Sequence, residues 1–142
     1  MEENLENLIK EMLSKKNFAV VGSFRSAEKY AYKIANDLTK KGYKVYLVNR
    51  NFKIGEEFIP LNNEENLKGL KCYPSVLDLP DDIEVVNIVT PPEVTEEIVK
   101  QCLKKGIKYV WMQPGAESEN AIKFCKENNI NVVYNACVML GR

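Results

Sequence analysis

Short apolar runs that end at a turn, each followed by a segment of helical period, recur along this chain. A chain with that alternation buries its apolar surface most readily as a parallel sheet covered by helices on both faces. The first instance runs from Asn17 to Gly22, through a turn at Ser23 to Ser26, into a helical pattern with Tyr30, Ala31, Ile34, Ala35 and Leu38 on one face. Gly42 closes that helix, and Tyr43 to Asn49 reads as a second strand. The resulting βαβ unit, with a crossover long enough for parallel pairing, is expected to be right-handed. Glu84–Val89, Ile107–Met112 and Asn131–Tyr134 read as three further strands. Between the first two of these, a Thr90-Pro91-Pro92 turn opens a helix to Lys105 with Val94, Ile98, Cys102 and Leu103 expected inside, and Gly106 ends it. Ser118 is expected to cap the last helix. The fold expectation is an α/β, doubly wound, five-stranded parallel sheet with helices on both faces.

Two segments stand apart from the alternation. Leu5, Leu8, Ile9, Met12 and Leu13 recur at helical spacing, predicting an amphipathic helix from about Glu2 to Lys15, so residues 1–16 read as an appended helix and 17–142 as the domain proper. From Arg50 to Ser75, Gly55, Pro60, Asn62-Asn63, Gly69 and Pro74 punctuate a stretch expected to be long and mostly irregular.

Composition removes several function classes. The 142 residues contain no histidine, which takes away the commonest general base, the usual zinc ligand and phosphohistidine chemistry. Twenty basic side chains balance twenty acidic ones, so no broad basic face is available for a nucleic acid. Cys72, Cys102, Cys125 and Cys137 form no Cys-x-x-Cys pair and read as reduced structural thiols, with no metal site. No apolar run approaches the roughly 20 residues of a membrane span, and the acidic start is the wrong charge for a secretory signal, so a cytoplasmic protein without membrane contact is expected.

In a doubly wound sheet the turns after the strands converge on one crevice, and the candidate residues lie there. Gly22, with Ser23, Arg25 and Ser26 after it, offers backbone amides, hydroxyls and a charge to a pyrophosphate, although the Gly-x-Gly-x-x-Gly pattern is broken by Phe24 and Ala27. The plainer reading makes Gly22 a tight turn and Ser26 a helix cap. After the second strand stand Asn49, Arg50 and Lys53, where a site for NAD offers a carboxylate to the ribose. Cations there suit a phosphorylated ribose, that of NADP or of coenzyme A, or else a solvated loop. Thr90 and Pro91 would form a wall with a free hydroxyl, Gln113 supplies an amide, and Pro114 and Gly115 fix the fourth turn. Tyr30 reads as helix packing or ligand wall. Its spacing to Lys33 is one residue short of the tyrosine–lysine dyad of short-chain dehydrogenases, and no catalytic group is assigned.

Val20-Val-Gly-Ser23, Gly42-Tyr-Lys-Val-Tyr-Leu-Val-Asn49, Gly69-Leu-Lys-Cys-Tyr-Pro-Ser75, Val110-Trp-Met-Gln-Pro-Gly115 and Cys137-Val-Met139 together resemble the stand-alone CoA-binding domain proteins of the YccU type. The resemblance runs from about Phe18 to Met139 and implies a Rossmann-like sheet holding coenzyme A or an acyl-CoA, with no established reaction. It also implies that Gly22 and Ser23 hold the pyrophosphate, Asn49 and Arg50 face the adenosine end, Thr90 and Pro91 lie along the nucleotide, and Gln113 and Gly115 border the pantetheine. The chain departs from the family pattern at Gly22-Ser23-Phe24, where Gly-Ala-Ser is usual, and at Asn49-Arg50, where Asn-Pro is usual. The functional expectation is a CoA-binding protein without a catalytic centre, acting as a homodimer or with a separate enzyme partner. The alternative is an NAD(P)-binding oxidoreductase or redox-sensing domain.

Overall fold

The computed structural model describes residues 2–140; Met1, Gly141 and Arg142, to which the two sequence-defined segments extend, lie outside the described residues. In chain order the helices and strands are α1 (Glu2–Leu13), β1 (Asn17–Val21), α2 (Tyr30–Lys40), β2 (Lys44–Val48), β3 (Glu56–Glu57), β4 (Lys71–Tyr73), β5 (Val85–Ile88), α3 (Pro92–Lys105), β6 (Tyr109–Met112), α4 (Glu119–Glu127) and β7 (Asn131–Val133). The described strands form one sheet in the order β3-β4-β2-β1-β5-β6-β7. Every neighbouring pair is parallel except β3 with β4. The α/β doubly wound class is as expected, with seven strands where five were expected. The two extra strands fall in the stretch read as irregular. β4 is three residues between Gly69 and Pro74, and β3 is two glutamates, so neither carries the apolar period that marks a strand. Pairing to β2 through Leu47–Cys72 and Val48–Tyr73 defines β4 instead.

Alternation along β1 sorts the core into two layers. Phe18 and Val20 pack with Val45, Leu47, Val85 and Trp111 against α1 and α2, whereas Ala19 and Val21 pack with Tyr46, Val48, Val86, Ile88 and Val110 against α3 and α4. The Tyr43 hydroxyl donates to Leu13 O at 2.6 Å, the Tyr109 hydroxyl donates to the Glu11 carboxylate, and Lys15 Nζ lies 4.9 Å from the Tyr109 ring centre, fixing α1 to the domain.

Two helices differ from their sequence reading. The helical pattern after Ser26 becomes α2 only at Tyr30, and Ser26 Oγ accepts from Glu28 N at 3.1 Å in a local turn, so Ser26 is not the helix cap. On α3 the buried face is Thr95, Ile98, Val99 and Cys102, at i, i+3, i+4 and i+7, while Val94 and Leu103 are exposed. Gly106, at φ 86°, ends α3, and Ser118 Oγ accepts from Ala121 N at the start of α4, both as expected.

The middle of the sheet carries one discordant group. Asn87 on β5 is fully buried beside Val20 and Trp111, and neither its Oδ1 nor its Nδ2 has a hydrogen-bond partner among the described residues. An unpaired buried amide costs about 1–3 kcal/mol. Replacing it with leucine, of similar volume, is expected to raise the unfolding free energy by about that amount, measured by urea denaturation; an unchanged or lower midpoint contradicts the assignment.

Candidate functional site

The strand order reverses between β1 and β5, and the carboxyl ends of these strands open into a crevice at that point. A cavity of about 460 Å³ lies there, lined by Gly22 and Ser23 after β1, Asn49 and Arg50 after β2, Pro74 and Ser75 after β4, Thr90 and Pro91 after β5, and Val94, Glu97, Ile98 and Gln101 of α3. A second cavity of about 450 Å³ is lined by Tyr30, Thr90, Pro91, Pro114, Gly115 and Ala116. The two share Val89, Thr90 and Pro91, so they form one groove across the strand ends.

Close packing creates the floor of this groove. A Cβ on Gly22 would stand 2.7 Å from Ala31 Cβ and 3.0 Å from Val89 O, so only glycine lets α2 sit against the ends of β1 and β5. The Gly22 N–H is used in the sheet, donating to Val48 O at 3.1 Å. The next three amides differ. Among the described residues the N–H groups of Ser23, Phe24 and Arg25 have no protein acceptor, and Ser23 Oγ is buried without a partner. Asn49 holds the turn from the other side: its Nδ2 donates to Gly22 O at 2.7 Å and its Oδ1 accepts from Asn51 N at 2.9 Å. Of these three residues Ser23 lines the first cavity, so its amide and hydroxyl are the donors this turn leaves available there.

Arg50 lines the first cavity and makes no ion pair among the described residues, leaving its fork of donors available to a phosphate. The Thr90 hydroxyl, expected to be free, lies 2.8 Å from the Thr95 hydroxyl, which also donates to Pro91 O at 3.2 Å; the pair fixes the wall where the two cavities meet.

Four of the sequence candidates lie outside both cavities. Arg25 and Lys53 are exposed and line neither, the Lys53 amide being taken by Glu56 Oε1 at 2.9 Å. Ser26 is occupied in its local turn. Gln113 is fully buried because strand alternation places it on the same face as Trp111; its Oε1 accepts from Val138 N at 2.9 Å and its Nε2 donates to Cys137 Sγ at 3.2 Å. Gln113 therefore supports the segment after β7 from beneath. Trp111 Nε1 helps by donating to Ala136 O at 2.7 Å. Conversely, Pro74, Ser75, Val94, Glu97 and Gln101 line the groove without having been marked in the sequence.

No cysteine pairs with another, and burial pushes the Cys72 and Cys125 thiols up to about 12 and raises Cys102 as well. Cys137 is half-buried, with the Tyr30 hydroxyl 3.2 Å from its sulfur; that contact, followed by desolvation, holds Tyr30 above the ordinary tyrosine range. Among the described residues no cluster of metal-ligating side chains occurs, and no helix is long and apolar enough to cross a membrane.

The CoA binding domain family matches residues 16–142. The chain belongs to that family. Among solved structures, this CoA binding domain is similar to a hypothetical protein from Pyrococcus horikoshii, 38% identical with a TM-score of 0.80, covering 94% of this chain and 87% of that one. A conserved hypothetical protein from Pyrococcus furiosus is 35% identical with a TM-score of 0.75, covering 88% of this chain and 97% of that one. Among curated proteins, the ADP-forming acetate–CoA ligase of Methanocaldococcus jannaschii is 31% identical over 131 residues, 87% of this chain and 17% of the ligase. The chain spans about a fifth or less of the curated ligases it matches.

Proposed function

We propose that this CoA binding domain holds coenzyme A, free or acylated, along the groove, and carries out no reaction on it alone. The observation that supports this most is the presence of two phosphate-seeking features, from the adjacent turns after β1 and β2, in one cavity. The unpaired Ser23 amide and hydroxyl suit a pyrophosphate, and the unpaired Arg50 suits a 3′-phosphate on the adjoining ribose. The second cavity, continuous at Thr90–Pro91 and walled by Tyr30 and Gly115, is the path left for the pantetheine arm. Against NAD stands the end of β2, which presents Asn49 and Arg50 where a ribose diol would need a carboxylate.

The binding-only reading rests on the absence of histidine from the whole sequence and on groove polar groups that bind and orient. In this reading residues 17–142 are the binding unit, the first helix is an appended brace, and a separate enzyme chain in the cytoplasm acts on the bound thioester. The ligase relatives, five or more times longer than their match, are consistent with chemistry supplied from outside such a domain.

Thermal unfolding in the presence of ligands tests the proposal. At about a hundred times its dissociation constant, a ligand bound only by the folded state adds about 2.7 kcal/mol, which is about 5–10 °C in a domain of this size. That shift is expected with CoA and not with NAD or NADP. A shift with NADP and none with CoA would favour the oxidoreductase or redox-sensing alternative.

A further inference from the structure

We propose that the outer edge of β3 is a docking site for an extended, lysine- or arginine-bearing segment of another protein, added to the sheet as a further strand. None of the residues involved lines the groove, so this site is independent of the CoA reading. The three most exposed large apolar side chains among the described residues all fall between Ile54 and Leu61. Ile59 is 81% exposed, Ile54 68% and Leu61 54%, with none elsewhere above 44%. Single exposed apolar residues are ordinary, whereas a cluster on one edge marks a contact surface.

That edge is open. β3 ends the strand order and pairs only with β4, on one side. Phe58 directs both backbone groups to that side, its N–H donating to Leu70 O at 2.9 Å and its C=O accepting from Gly69 N at 2.9 Å. Backbone groups alternate along an extended strand, so the Glu57 N–H and C=O point outward, and the Ile59 N–H has no protein acceptor among the described residues. Unpaired groups of this kind template an added strand. The edge is also held in place. The Phe58 ring is buried against Phe24, Tyr32 and Phe52, with ring centres 6.2, 6.0 and 6.3 Å away, and Leu61 N donates to the Tyr32 hydroxyl at 3.1 Å. A partner would meet a surface already ordered, which lowers the entropy lost on binding.

Charge selects the occupant. Residues 54–65 carry Glu56, Glu57, Glu64 and Glu65 and no lysine or arginine. Glu57 pairs only with Lys71, at 3.1 Å between exposed side chains, a contact of little strength. Glu56, Glu64 and Glu65 have no ion pair among the described residues. A second copy laid against this edge would bring carboxylates together, a common device against self-pairing. Gatekeeping by charge explains the glutamates but leaves the exposed isoleucines without a role. A strand that alternates cations with apolar residues satisfies both.

The test is fluorescence anisotropy of the full chain with two labelled, end-capped peptides of about seven residues, a common strand length, one alternating lysine with valine and the other glutamate with valine. The wild-type protein is expected to bind the lysine peptide about tenfold more tightly than the glutamate one, since several cross-strand charge pairs change sign together. Ile54→Ser and Ile59→Ser should each weaken the lysine peptide about tenfold, the scale of one apolar side chain left unburied. Glu56→Lys combined with Glu57→Lys should reverse the preference. These positions are exposed, so each variant should melt close to the wild type, which separates lost docking from lost folding. Equal affinity for the two peptides, no binding of the lysine peptide at millimolar concentration, or undiminished binding by both serine variants overturns the assignment. So does a sedimentation result in which the wild type is a dimer and Ile59→Ser a monomer, because the edge would then belong to a second copy.

Discussion

Arg50→Ala is expected to weaken CoA by about tenfold to a hundredfold while leaving dephospho-CoA nearly unchanged. A hydrogen bond to a charged group contributes about 1.5–3 kcal/mol, and a two-pronged guanidinium–phosphate contact sits toward the upper end. Arg50 has no carboxylate partner to release before binding, so the full interaction would go to the ligand. Dephospho-CoA lacks the 3′-phosphate and therefore serves as the internal control. Because Arg50 is exposed, the variant should melt within about 2 °C of the wild type, surface substitutions usually changing stability by less than about 0.5 kcal/mol. Calorimetry with both ligands reads the difference, and equal losses would show that Arg50 does not meet that phosphate.

Gly22→Ala is expected to damage stability and binding together. The added methyl meets Ala31 Cβ at 2.7 Å and the Val89 carbonyl at 3.0 Å, and neither is the end of a flexible side chain that could swing away. Either α2 moves outward or the ends of β1 and β5 separate, at a cost of about 1–3 kcal/mol. Both movements carry the Ser23–Arg25 amides with them, since Asn49 holds Gly22 O and the Gly22 N–H is fixed to Val48 O. Chemical denaturation should show the lower midpoint, and calorimetry a loss of CoA affinity beyond twofold. A variant as stable as the wild type would show that the helix has room there.

How much of this was legible in the sequence follows from what each element needs. β1, β2, β5, β6 and β7 are apolar runs bounded by turns, and burial on both faces makes such runs visible. β3 and β4 were hidden because backbone pairing along the edge of a finished sheet specifies them, which no pattern within Glu56–Glu57 or Lys71–Tyr73 reports. Missing β4 hid its carboxyl end, so Pro74 read as punctuation and Ser75 as the end of an irregular stretch, and neither as a wall. The face of α3 was placed slightly off, with Val94 taken for core, and that concealed the row of Val94, Glu97 and Gln101 that lines the cavity. Gln113 failed differently. Its place at the end of β6 suggested the crevice, but alternation turns it under the sheet, where Val138 and Cys137 occupy both ends of its amide. The remaining strand-end residues, Gly22, Ser23, Asn49, Arg50, Thr90 and Pro91, lie in the groove because the topology leaves them nowhere else to converge.

A titration of ¹⁵N-labelled protein with CoA, followed by amide chemical shifts, tests the central claim most directly, because it reports where the ligand sits as well as whether it binds. Saturable shifts are predicted at the Ser23, Phe24 and Arg25 amides, at Arg50 and Thr90, and at Gly115 across the second cavity. Shifts confined to another surface, such as the α4 face around Ile122 and Tyr134, or none at millimolar CoA, would contradict the account.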